Sequence, residues 1–187
     1  MPMSEELAWA HWWACPWEQA HSDWQTTPTL TLPKALARHH HARLSTLFQI
    51  EPCLPPLPTP ALLQLAQADT AQRDLTLMLV NGVCYPSQEP RLDDEHNLWC
   101  QRLIKALSPN PISVNTDAPL HYLRAWVDPA VWQRLRLGFS RGRVLELEQH
   151  PRLLDNGSRM NTLWQAAIWR AISATNNDPE RGPLRES

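Results

Sequence analysis

Between Glu51 and Pro60, five of ten residues are prolines, at positions 52, 55, 56, 58 and 60. Each proline fixes its own φ at about −65°, removes a backbone donor and pushes the preceding residue out of the helical region. The segment is therefore neither a helix interior nor a central strand, and reads as a stiff connector. Across the chain, eighteen prolines stand against only five glycines, so turns built on glycine are scarce. That balance predicts short helices joined by proline-stiffened links rather than a sandwich or a doubly wound sheet.

The helix signals agree with it. Ser4 before Glu5 and Glu6 is a cap with an acidic first turn, and Leu7, Trp9, Trp12 and Trp13 follow until Pro16. The stretch 17–32 is aromatic, then Thr/Pro-rich, and reads as an ordered loop. Pro33 suits a first helical position, and Leu36, His40, Leu44, Leu47 and Phe48 predict a helix over 33–49. Thr59-Pro60 and Asp69 start two helices that run to about Val83, and Asp93-Asp94 open another closed by Ser108-Pro109. Asp117 and Asp128, beside Pro119 and Pro129, predict short helices over 120–127 and 129–138. Ser158 opens the last one, whose face of Met160, Leu163, Trp164, Ala167, Ile168, Ala171 and Ile172 has the cleanest helical period. From Arg141 to Glu148 an imperfect alternation of apolar and charged residues predicts a short strand. The expected fold is mainly α: an irregular single-domain helical bundle over 1–174, with its proline-rich connector at 51–60, room for a short strand pair, and a flexible tail over 175–187.

Several classes of function lose support at this point. A formal charge of −2 provides no global field toward nucleic acid or anionic lipid. Cys15, Cys53, Cys84 and Cys100 form no CxxC pair and read as reduced core thiols. The acidic start lacks the pattern of a secretory signal, and the longest strongly apolar run, Leu75–Val80, is far below the roughly 20 residues of a bilayer span. A cytoplasmic location is the expectation. The glycines form neither GxxxxGK nor GxGxxG, and no serine or cysteine carries a nucleophile signature. His39-His40-His41 invites a metal, yet adjacent helical side chains diverge by about 100° and no second ligand sits four positions away. No catalytic, cofactor or metal site is expected, and an enzyme would need residues such as His21, Asp23 and His121 to converge.

Two segments stand out. Trp9 to Trp24 holds five of the ten tryptophans, including Trp17 and Trp24 with His21 between them. Such density suits either a stacking platform for bases or sugars, or an aromatic core whose indoles bond nearby carbonyls. No Lys or Arg lies between them, so the nucleic-acid version lacks its electrostatic half. Trp126 to Arg143 sets Arg134, Arg136, Arg141 and Arg143 beside Trp132 and Phe139. Arginine with tryptophan is the composition of interface hot spots, and equally that of a solvated charged face.

At these segments the chain resembles a known family. Cys15-Pro16-Trp17-Glu18-Gln19-Ala20-His21, the later Trp132-Gln133-Arg134-Leu135-Arg136-Leu137-Gly138-Phe139 and the middle Leu75–Gly82 are similar to the YscK (SctK) accessory proteins of bacterial type III secretion. The chain departs from them in its proline connector and its histidine triplet. The resemblance implies a non-enzymatic adaptor of the cytoplasmic sorting platform. It would link the inner-membrane ring protein's cytoplasmic domain to the SctQ-type pod protein, with the SctL-type stator as a third candidate partner. It would reach the inner membrane only through those partners and bind no nucleic acid. The partner-binding residues would be Trp17, His21, Trp24, Trp132, Arg134, Arg136, Arg141 and Arg143. The alternative is a Trp-rich module for nucleic acid or carbohydrate.

Overall fold

Capping chemistry written into the chain sets most of the helix starts. In the computed structural model, which describes residues 4–24, 41–86, 92–107, 118–153 and 157–176, Ser4 Oγ accepts from Leu7 N at the head of α1 (Glu5–Ala14). Thr59 Oγ1 does the same for Leu62 N ahead of α3 (Pro60–Gln67). A reciprocal capping box opens α4 (Thr70–Cys84): Gln72 N donates to Asp69 Oδ1 at 2.8 Å, and Asp69 N donates to Gln72 Oε1 at 2.9 Å. Asp93 opens α5 (Asp94–Leu107), accepting from His96 N at 2.7 Å; that backbone bond holds its carboxyl below the usual carboxylate range. Asp128 caps α7 (Pro129–Leu135) through Ala130 N. The remaining helices are α2 (His41–Leu47), α6 (Ala118–Trp126), α8 (Arg141–Glu148) and α9 (Ser158–Asn176). Short 3-10 turns cover Pro16–Gln19, Ser22–Trp24 and Arg136–Gly138. The described residues contain no strand, so the fold is mainly α.

Two expectations change. Residues 141–148 form a helix instead of a strand, because the residues that turn inward are Val144 and Leu147, one helical turn apart, while Leu145 lies outside. The helix expected over 33–49 is described only as α2, and its first part lies outside the described residues, as do 25–32 of the expected loop. The expected tail lies outside them from 177 onward.

The end of α2 departs from the glycine rule. Gln49 takes a left-handed φ of 53°, Gln49 N donates to Thr46 O, and Ile50 N reaches back to Ser45 O at 2.8 Å. This Schellman turn closes the helix without glycine and aims the chain into the proline connector.

At the centre, α9 packs along α4, with α3, α5 and α6 around the pair. Leu79, Val80, Trp164, Ala167, Ile168 and Ala171 are fully buried at this seam. Each large aliphatic side chain removed from water there contributes about 1.5–3 kcal/mol. A single cluster of buried side chains draws on every described helix. Desolvation pushes the buried thiols of Cys84 and Cys100 up to about 12 and about 11. Cys15 is half-buried, but Cys53 is exposed on the connector, contrary to the reading of all four as core thiols. No described helix is long and apolar enough to cross a membrane.

Gly138 shows how closely the turn Arg136–Gly138 is packed. A β-carbon there would lie 2.7 Å from Nη1 of Arg73, a buried guanidinium that donates to Ala66 O and to Gln19 Oε1. Gly138→Ala is expected to cost about 1–3 kcal/mol, read as a lowered denaturation midpoint. An unchanged midpoint would show that Arg73 moves aside freely.

Candidate functional site

The two segments singled out in the sequence meet in space. The turn Pro16–Gln19 packs on Arg136–Gly138 and on α7. His21 N donates to Leu137 O at 2.8 Å, and Trp24 Nε1 donates to Phe139 O at 2.8 Å. Arg136 and Arg141 place their guanidinium carbons 6.0 and 5.6 Å from the Trp24 ring, a cation–π distance.

Most of this junction is interior. Arg134 is only 4% exposed and lies 3.7 Å above the Trp13 ring, donating to Trp13 O, Ala130 O and Glu51 O. Burial lowers its pKa, and Cys53 partly offsets that shift. Arg136 is 6% exposed; its Nη1 grips both oxygens of Glu148 at 2.7 and 2.9 Å, and its Nη2 donates to Phe48 O. Trp132 Nε1 shares Glu148 Oε1. Trp17 and Trp24 are buried as well. The expectation of a rim made from Arg134, Arg136, Trp17 and Trp24 is therefore corrected: these groups tie the N-terminal segment to α7 and α8. Of the eight candidates, Arg141 is exposed and His21 and Arg143 are half-exposed.

What reaches solvent is a cleft of about 420 Å³ beside the Arg136–Glu148 pair, walled by Trp132, Gln133, Arg124 and Arg152. Arg124 donates to Leu147 O and His150 O, and Arg152 donates to Val127 O, so both are held by the backbone at the ends of α6 and α8. Glu51, at the mouth, is tied by its N–H to Gln133 Oε1 at 2.9 Å. Three guanidinium groups face two carboxylates, leaving a positive excess where Glu148 is already committed to Arg136. Sequence reasoning missed Arg124 and Arg152. Arg124 lies two residues before the end of α6 and Arg152 four residues beyond the end of α8, and no local pattern ties them to Trp132.

The tryptophan platform is also absent as an exposed surface. Trp9, Trp12, Trp13, Trp17 and Trp24 are all buried, and Trp9 stacks on Trp12 at 5.0 Å. Trp9 Nε1 donates to Pro56 O and Trp13 Nε1 to Cys53 O, both at 2.9 Å, so the aromatic helix face is covered by the proline connector. A second cleft, about 430 Å³ and mainly apolar, lies at its edge between Trp13, Trp17, His41, Ile50 and Cys53, over Arg134.

His41 Nε2 lies 2.8 Å from Ala14 O, and its ring packs edge-on against Trp17. His39 and His40 lie outside the described residues. Among the described residues no three His, Cys, Asp or Glu side chains converge as a metal site. His21 lies 3.4 Å from Asp23 Oδ1, whereas His121 is buried against the ring of His150.

Searches against protein-family models, curated proteins and solved structures find no match to this chain.

Proposed function

We propose that this protein is a non-enzymatic adaptor of the type III secretion sorting platform, joining the inner-membrane ring protein's cytoplasmic domain to the SctQ-type pod protein. The observation that carries the binding part of this reading is the cleft at which Trp132, Arg124, Arg136 and Arg152 meet. Planar guanidinium groups held in place by carbonyls lose little entropy on pairing bidentately with a carboxylate, and an indole wall beside them excludes water. The cleft thus suits an acidic segment of a protein partner. The choice of platform and partners rests on the resemblance at Cys15–His21 and Trp132–Phe139.

Mixing the purified protein with the two candidate partners tests the adaptor role. The expected result is a ternary complex on size exclusion. Binding to neither would overturn the assignment. Arg152→Glu, at an exposed position, tests the cleft: it should keep the helix content, lower the melting temperature slightly through loss of the bond to Val127 O, and weaken one partner at least tenfold. A folded R152E variant with wild-type affinity for both would move the interface elsewhere.

A further inference from the structure

Two edges of the proline connector differ in use, and among the described residues only one of them is bonded to another element. Prolines 52, 55, 56, 58 and 60 restrict themselves and the residues before them to extended conformations. Thr59, for example, sits at φ −73° and ψ 155°, the polyproline II region. With three residues per turn, positions 53 and 56 share one edge of such a helix and positions 54 and 57 the next. The hydrogen bonds follow that period: the carbonyls of Cys53 and Pro56 face α1 and accept from Trp13 and Trp9. The leucines face away. Leu54 is 91% exposed and Leu57 97%, whereas the other exposed large apolar side chains lie between 45% and 61%.

We infer that the Leu54–Leu57 edge is a prebuilt ligand for a partner protein whose groove is lined by aromatic side chains. Three observations select that occupant over others. First, nothing between Pro52 and Pro60 is charged, so neither an ionic surface nor nucleic acid has a handle on it. Second, the backbone is already fixed by its prolines and by the two indoles beneath, so docking costs little ordering entropy. Third, the inner edge shows how such a strand is read, by indole N–H groups donating to carbonyls three residues apart, which is the chemistry of grooves that bind polyproline II ligands. Glu51, which lines the arginine cleft, immediately precedes the first proline of the connector. This inference stands apart from the choice of secretion partners: a partner with such a groove satisfies it whichever platform is involved.

The test places a photo-crosslinking amino acid at position 54 or 57 of the full chain in its native cell, maps the attachment sites, and measures affinity for the purified partner. Expected are crosslinks to residues flanking Trp, Tyr or Phe in one groove, with at least a tenfold loss of affinity for the doubly substituted Leu54→Ser, Leu57→Ser protein. That variant should keep the wild-type melting temperature, because both side chains are exposed. Crosslinks to lipid, to a second copy of this chain or to a groove without aromatic residues would overturn the inference. So would no crosslink, or a double variant that binds as wild type.

Discussion

Arg134→Glu is expected to yield no folded protein, and Arg134→Ala to lose about 3 kcal/mol in urea unfolding followed by circular dichroism. The guanidinium supplies donors to three backbone carbonyls, Trp13 O, Ala130 O and Glu51 O, from three separate parts of the chain. Truncation leaves those largely buried acceptors short of donors, and removes the plane that covers the Trp13 ring. A carboxylate at the same point would face carbonyl oxygens with no cation to answer it. Arg134→Lys should fall between, because an ammonium cannot reproduce the planar fork. Arg141→Glu, an exposed change at the first residue of α8, should cost no more than about 0.5 kcal/mol. Equal losses at 134 and 141 would refute the division between tie and surface.

Trp164→Ala should have the other large effect, a loss of about 3–5 kcal/mol. The ring is fully buried where α9 meets α4 and stacks on Trp126 at 5.6 Å. Its truncation opens a cavity in the seam between α9 and α4. Trp164→Phe separates packing from hydrogen bonding: Trp164 Nε1 is buried with no partner among the described residues, so losing it sacrifices no bond. If phenylalanine costs as much as alanine, the indole N–H is bonded in solution and the cavity account fails.

How much of this was legible from residues alone depends on how far apart the interacting groups lie. Asp69, Thr59 and Asp128 cap their helices as expected, since a capping oxygen and the N–H that donates to it lie within three residues. The segment Arg141–Glu148 is a helix and not the expected strand, because its three apolar residues Val144, Leu145 and Leu147 match neither period cleanly until burial separates Leu145 from the other two. Gln49 gave no warning of its left-handed φ, which glycine would have announced. Of the four arginines expected at a rim, Arg134 and Arg136 lie inside, whereas Arg141 is exposed and Arg143 half-exposed. Their type was visible, but the carbonyls of Trp13, Glu51 and Phe48 that absorb the two buried ones lie 83 to 121 residues away. The tie between tryptophans and prolines had a usable signal: Trp9 and Trp13 lie one helical turn apart, and an uncharged proline run offers bare carbonyls for indole N–H groups.

The junction between residues 13–24 and 134–139 also bears on how the chain comes into being. Trp13 and Trp24 bond to groups 121 and 115 positions later. At roughly 5–20 residues per second, a ribosome leaves these rings without their partners for about 6–25 s. The connector can cover Trp9 and Trp13 after only 40 to 47 residues, but Trp24 and the Arg134 side of Trp13 wait out the whole interval, so the first helix cannot reach its final packing until the late turn is made. Truncation before Phe139 therefore removes the partners of these rings however well α1 and α4 are capped.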